Sequence, residues 1–305
     1  MKNFKKRFLF IAVVIILFSC QKNNTAPIQA ENISVVSNAK VSIPKFDHVV
    51  MVIMENHTYS QIIGNSDAPY INVLASSAKS TSFTNSYAIE HPSQPNYLDL
   101  YSGSNQGVTN DSIPVNNPFT TPNLGRQLIN SAKTFTIFCE GLPSVGYDGK
   151  TSGKYVRRHN PAANWMGTGS NQIPSTTNQP FTAFPTNFTL LPTVSFVIPN
   201  ISHDMHNGNI TNGDTWLKSN MDAYIQWAKT HNSLFILTFD EDDGSQGNNI
   251  PTIFSGQYVK TLQDTMNITH YSMLRTIEKM YSLTFIGNAA SAKTISDCWN
   301  NHAIK

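Results

Sequence analysis

The sequence is poor in charge. Lysine, arginine, aspartate and glutamate make up 13% of its 305 residues, and 21 basic against 19 acidic side chains leave a formal net charge of +2. So small an imbalance gives no electrostatic case for binding nucleic acid. Cysteine is scarce too, with three in the chain. Setting Cys20 aside, Cys139 and Cys298 could pair outside the cytoplasm and tie the C-terminal segment to the core, or could equally be two buried free thiols. No apolar run after Phe18 is long enough to cross a bilayer, and no internal repeat is present.

What the chain does have begins with a leader. Lys2, Lys5, Lys6 and Arg7 precede an uninterrupted apolar run from Phe8 to Phe18, too short for a stable membrane span but suited to a signal peptide. The run closes in Leu17-Phe18-Ser19-Cys20, which resembles a bacterial lipobox. Residues 1–19 are therefore expected to be a lipoprotein signal peptide, and Cys20 the site of lipidation. Several acyl chains, at about 0.8 kcal/mol per buried methylene, would hold the protein to a membrane. Gln21 is not an inner-membrane retention aspartate, so an exported lipoprotein on the outer membrane or cell surface is expected, with the periplasmic face also open. Residues 20–42 are polar and lack apolar periodicity, as a flexible tether would. Residues 43–305 are enough for one domain with a sizeable core.

Within that domain, strand-like and helix-like segments alternate, which argues for an α/β fold with a mainly parallel central sheet and helices on both faces. His48 to Met54 is a near-continuous apolar run, as expected of a strand buried on both sides. Phe135–Phe138, Val194–Ile198 and Leu234–Phe239 read the same way. Leu217, Met221, Tyr224, Ile225 and Ala228 recur at helical spacing, with Asp214 near the expected N-cap, and Leu274, Ile277 and Tyr281 suggest a second helix. From Gly141 to about Pro192 the chain is rich in Gly, Pro, Asn, Thr and Ser and is expected to form an elaborated loop region over one end of the sheet. Chemistry in open parallel sheets sits at the carboxyl ends of the strands. Two expected strands end in acid there, at Glu55-Asn56 and at Asp240-Glu241. Burying carboxylates in that position is costly unless they are paired or bound to a metal. Ser93 stands two residues before Pro95, which suits a first helical turn, so its hydroxyl lies near a helix N-terminus that favours a phosphate oxyanion. Alone, it would be no more than a cap.

Taken together, the motifs Val52-Ile53-Met54-Glu55-Asn56-His57, His91-Pro92-Ser93-Gln94-Pro95-Asn96-Tyr97, Arg158-His159-Asn160-Pro161, Pro199-Asn200 through Asp204-Met205-His206, Thr238-Phe239-Asp240-Glu241 and His270-Tyr271-Ser272 resemble the phosphoesterase family of bacterial and fungal acid phosphatases and phosphatidylcholine-type phospholipases C. That family is part of the alkaline-phosphatase-like superfamily. The resemblance runs in order over nearly all of residues 43–305 and implies a phosphoesterase catalytic domain. It further implies one divalent metal ion held by Glu55, Asn56, Asp240, Glu241 and Ser93, with Ser93 also the nucleophile that forms a phosphoseryl intermediate. His206, and after it His159, would serve the leaving group, while Asn110, His270 and His91 would contact phosphate. An all-oxygen ligand set suits Mg, Mn or Ca better than Zn. The expected activity is that of an acid phosphatase, a phosphomonoesterase acting on a small phosphorylated substrate or a phospholipid headgroup. A phosphodiesterase of phospholipase C type and a non-catalytic binding lipoprotein are the alternatives.

Other polar residues near these motifs carry structural expectations. His57 and His48 read as partners for loop and strand backbone. Asp242 and Asp243 read as a solvated turn before Gly244, or with one of them as an acceptor behind the site residues, and Asp204 as a minor candidate beside His206. Trp165, Trp216 and Trp227 read as packing.

Overall fold

The computed structural model describes residues 42–300. The signal peptide, Cys20 and all but the last residue of the tether lie outside that range. Eight strands form the central sheet: β1 (His48–Met54), β2 (Ser80–Phe83), β3 (Phe135–Cys139), β4 (Asn178–Pro180), β5 (Val194–Ile198), β6 (Ser233–Phe239), β7 (Thr252–Gly256) and β8 (Leu262–Asp264). Their spatial order is β8-β2-β7-β6-β1-β5-β3-β4, and only β7 runs against its neighbours. The four strands expected from their apolar runs are β1, β3, β5 and β6, the middle of the sheet.

The near-continuous hydrophobicity of β1 follows from its having a core on each side. Val49, Met51 and Ile53 pack with α2 (Ser93–Ser102), α3 (Leu124–Asn130) and α5 (His270–Met280) through Tyr97, Tyr101, Leu128 and Ile277. Val50, Val52 and Met54 pack with α1 (Pro69–Ser76) and α4 (Ile210–Ala228) through Ile71, Leu74, Leu217 and Met221. A strand with period-two side chains and two apolar layers has no solvent face on which to place polar residues.

Three expectations need revision. The helix containing Leu217 starts earlier, at Ile210, where the Asn209 side chain accepts the Asn212 N–H at 2.8 Å. Asp214 instead lies buried inside α4 and accepts the N–H groups of Tyr70 (3.0 Å) and Ile71 (2.8 Å). It thus caps the first turn of α1, a neighbour 144 residues away in sequence. The stretch from Gly141 to Pro192 is mostly loop, as expected, punctuated by short 3-10 turns and a small hairpin at residues 151–156, but it also supplies β4, which pairs with β3 at the sheet edge. Asn and Pro in that strand disguised it. Cys139 and Cys298 are both buried free thiols, so no disulfide ties the C-terminal segment down. Trp165 and Trp216 are buried among other aromatic rings and Trp227 packs beside Tyr224, as packing residues.

Asp214→Ala removes two charge-assisted hydrogen bonds and leaves two buried N–H groups unpaired. It is expected to cost about 1–3 kcal/mol of stability while the activity expected of the sequence persists at ambient temperature. Chemical denaturation read alongside activity checks this; an unchanged midpoint would contradict the capping role.

Candidate active site

The sheet register brings the two acidic strand ends together. Met54 pairs with Phe239, so the next residues, Glu55 and Asp240, leave the sheet side by side. Backbone bonds stitch the exits: the Asp240 N–H donates to the Met54 carbonyl at 3.0 Å and the Glu55 N–H to the Asp204 carbonyl at 2.8 Å. Asn56 takes a left-handed backbone (φ 54°), which asparagine tolerates better than most residues. Its N–H and that of Glu241 both donate to Asp240 Oδ1, at 3.2 and 2.6 Å.

Ser93 completes this side of the site. It is the first residue of α2, whose N-cap is Pro92, and its hydroxyl makes no cap. Instead Oγ lies 3.1 Å from Glu55 Oε2 and 2.9 Å from Glu241 Oε1. One hydroxyl proton can serve only one of these carboxylates at a time. Asn56 Oδ1 and Asp240 Oδ2 are meanwhile buried without a hydrogen-bond partner. Burial is the main force raising the Glu55 and Asp240 carboxyls well above the usual range, and the neighbouring negative charges add to it. Burial likewise raises Glu241. Oxygens crowded in this way, short of protons and of donors, fit a bound cation.

The second side of Glu55 faces histidines. Its Oε1 accepts the Tyr97 hydroxyl and lies 3.3 Å from His159 Nε2. His159 is fully buried, stacks on Tyr97 at 5.4 Å, and turns Nδ1 to Asp204 Oδ2 at 3.2 Å. Both ring nitrogens therefore face carboxylates. Burial, with Arg158 adding to it, holds this imidazole well below its ordinary pKa, and burial lifts Asp204 to about 7. His206 is only half-buried. Its N–H donates to Asp204 Oδ1 (2.8 Å), its Nδ1 to Asn207 Oδ1 (2.6 Å), and its Nε2 lies 3.4 Å from Arg158 Nη2. Glu55, His159 and His206 each offer a ligand atom within 4.8 Å of one another, so nitrogen donors stand close to the oxygen cluster.

The remaining expected contacts are otherwise engaged. His91 is 45% exposed and bridges Glu241 Oε2 (2.6 Å) and Asp242 Oδ1 (3.3 Å). His270, the first residue of α5, donates Nε2–H to the Asp240 carbonyl at 2.6 Å, and burial lowers it to about 4. Asn110 is exposed, and its side-chain oxygen accepts the Ser112 N–H. His57 bonds the Glu55 carbonyl and His48 that of Pro192, both as structural partners. Asp242 is not the solvated turn expected of it. It is buried and accepts the N–H groups of Gly244, Gln246 and Asn248, which shape the loop after β6. Tyr97 and Arg158 stood inside quoted motifs without a role, and Asp111, which accepts the Gln94 N–H at 3.1 Å, carried no sequence signal at all.

Comparison with known proteins decides the family. A family model for the phosphoesterase family matches residues 66–284. The chain belongs to the phosphoesterase family. It is 45% identical to a phosphatidylinositol-3-phosphatase of Mycobacterium tuberculosis over 268 residues, covering 87% of both proteins. To an acid phosphatase of Aspergillus fumigatus it is 26% identical, covering 91% of this chain and 66% of that protein. To a phosphate-repressible acid phosphatase of Penicillium chrysogenum it is 30% identical, covering 67% of this chain and 52% of that one. The chain thus spans about half to two thirds of the length of those two fungal relatives. Among solved structures, an alkaline phosphatase superfamily protein from Vibrio parahaemolyticus shares the fold with a TM-score of 0.56 at 14% identity, over 84% of this chain and 72% of that one. A phosphonate monoester hydrolase from Silicibacter pomeroyi matches with a TM-score of 0.54 at 11% identity, over 82% and 76%. The phosphoesterase is accordingly a hydrolase of phosphoric esters with an alkaline-phosphatase-like α/β fold.

If a cation relieves the strand-end carboxylates, Asp240→Asn is expected to lower the divalent metal recovered with the purified protein about tenfold or more, with the far-ultraviolet circular dichroism unchanged. Elemental analysis checks this, and full occupancy in the variant would contradict it.

Proposed function

We propose that this phosphoesterase is a metal-dependent phosphomonoesterase of acid-phosphatase type that works through a phosphoseryl intermediate on Ser93. The observation that carries the reading is the position of Ser93 Oγ between Glu55 and Glu241, at the N-terminus of α2. Glu55, Asn56, Asp240 and Glu241 would hold one divalent ion together with Ser93. The oxygen side is chosen because Asn56 Oδ1 and Asp240 Oδ2 are buried with neither a hydrogen bond nor an ion pair among the described residues, whereas the His159 nitrogens, also without a hydrogen bond, each stand within ion-pair distance of a carboxylate. Oxygen donors favour Mg, Mn or Ca over Zn. When bound, the ion would lower the pKa of the Ser93 hydroxyl and offset charge on the phosphoryl group.

The chain's own residues do the rest. Glu241 Oε1, 2.9 Å from Oγ, is the acceptor to hand for the Ser93 proton. Oγ forms its bond to phosphorus as the bond to the leaving oxygen breaks. His206 is half-exposed beside Arg158 and, as an imidazolium, would donate to the leaving oxygen as its bond to phosphorus breaks. Water next attacks the phosphoserine, the P–Oγ bond breaks, and inorganic phosphate leaves with Ser93 restored. His159 acts as a brace, fixing Glu55 and Asp204 from between them.

The names of the fungal and mycobacterial relatives support a phosphomonoester substrate, either a small phosphorylated compound or a phospholipid headgroup. The lipobox-like Leu17-Phe18-Ser19-Cys20 supports an exported lipoprotein, placed on the outer membrane or cell surface by its acyl chains.

Ser93→Ala is expected to lower kcat at least about a thousandfold with the fold intact, as steady-state kinetics on a phosphomonoester will show; a fully active variant would end the serine reading. Cys20→Ala is expected to move the protein from the membrane to the soluble fraction and abolish incorporation of labelled palmitate. Retention in the membrane would contradict the anchor.

A further inference from the structure

One cleft is lined in part by Gln94, Asp111, Lys150 and Arg158. Gln94, the residue after Ser93, donates its backbone N–H to Asp111 Oδ1 at 3.1 Å. The other oxygen of that carboxylate faces the Arg158 guanidinium, with Nε 3.8 Å from Oδ2. Arg158 Nε is buried and has no hydrogen-bond partner, and Nη2 of the same side chain lies 3.4 Å from His206. An N–H at the start of a ten-residue helix and a guanidinium, on opposite sides of one anion, are the donors that a phosphoryl group is bound by. Here the anion between them is a carboxylate of the protein itself. Its contact to arginine is longer than a charge-assisted hydrogen bond of about 2.7–2.9 Å, so the carboxylate sits there without closing the pair.

We propose that Arg158 and the Gln94 N–H form the seat for a non-bridging oxygen of the substrate phosphoryl group, and that the Asp111 carboxylate occupies this seat in the free protein and is displaced by substrate. The inference rests on Ser93 as the point of attack, because the seat adjoins it by one residue. It adds a selectivity element to that reading. A phosphomonoester carries a second negative charge near neutral pH that a diester lacks, and a guanidinium, always charged, rewards that charge. Displacement of Asp111 demands a ligand more anionic than a carboxylate. Arg158 also stands beside His206, so a phosphoryl oxygen in the seat lies next to the imidazole that protonates the leaving group.

Both side chains are partly exposed, 22% for Arg158 and 37% for Asp111, so substitution leaves the cores untouched. The test is competitive inhibition by inorganic phosphate of para-nitrophenyl phosphate hydrolysis, in the wild type, Arg158→Gln and Asp111→Asn. Arg158→Gln is expected to raise the inhibition constant about thirtyfold, with KM rising in parallel. Asp111→Asn, which weakens the resident anion, is expected to lower that constant about threefold or more. A lower kcat with an unchanged inhibition constant in Arg158→Gln would overturn the proposal and leave Arg158 as a positioning residue for His206. A constant unchanged or raised in Asp111→Asn would overturn it too, since Asp111 would then be supporting Arg158 rather than competing for it. Phosphate binding does not need Oγ, so failure of the serine mechanism would leave this measurement intact.

Discussion

Four carboxylates buried at the ends of parallel strands, or in the loops that follow them, set the terms for the rest of this molecule. Glu55, Asp204, Asp240 and Glu241 are all nearly inaccessible to solvent. Burial raises every one of them above its ordinary pKa. Charges of one sign crowded in a medium of low polarity repel each other and resist ionising. The fold meets this in part with N–H donors, through Asn56 and Glu241 onto Asp240 and through His206 onto Asp204. Imidazoles and a phenol meet it further, at His159, His91 and Tyr97. What stays unmet lies beside Ser93, and that residue of unbalanced oxygen is what suits the site to a cation and a phosphate ester.

Glu55 organises the division of labour. One of its oxygens points to Ser93 and the other to Tyr97 and His159. The first side holds Ser93, the proposed attacking group, and the buried oxygens of Asn56 and Asp240 that lack partners. The second holds the brace, which carries through His159 to Asp204 and from Asp204 to the His206 backbone. The position of the proposed proton donor is thus coupled to that of the proposed nucleophile through Asp204, His159 and Glu55, the last of which is placed by strand register. Such an arrangement sets Ser93 at a helix N-terminus and ties the loop that carries His206 back to the strand ends, the positioning that the proposed in-line displacement requires.

The middle of the fold was readable because two apolar cores leave β1, β3, β5 and β6 no choice but hydrophobic runs. Strand-end acids were readable for the opposite reason: Glu55 and Asp240 interrupt those runs abruptly. The edge strand β4 was not, since Asn178-Gln179-Pro180 has only one neighbour to satisfy and no need of apolar residues. Asp214 was misplaced because its two N–H donors lie on another helix, and no local pattern reports a partner so far away. Asp242 was hidden in the same way: Asp242-Asp243 before a glycine looks solvated in sequence, yet Asp242 is folded inward by three backbone donors. Tyr97, Arg158 and Asp111 acquire their places only through tertiary contacts. A residue type and a spacing could nominate Ser93, but only the structure shows its hydroxyl turned away from the cap and toward two carboxylates.

The central claim is that phosphorus passes through a covalent bond to Ser93, and the steric course at phosphorus tests it most directly. Hydrolysis of a phosphorothioate monoester made chiral with two oxygen isotopes, run in water carrying the third, gives a chiral thiophosphate whose configuration reports the number of displacements at the phosphorus atom. Two in-line steps, onto Ser93 and then onto water, give net retention for hydrolysis, and this is the expected result. Net inversion would mean that water attacks the ester directly, and it would contradict the account.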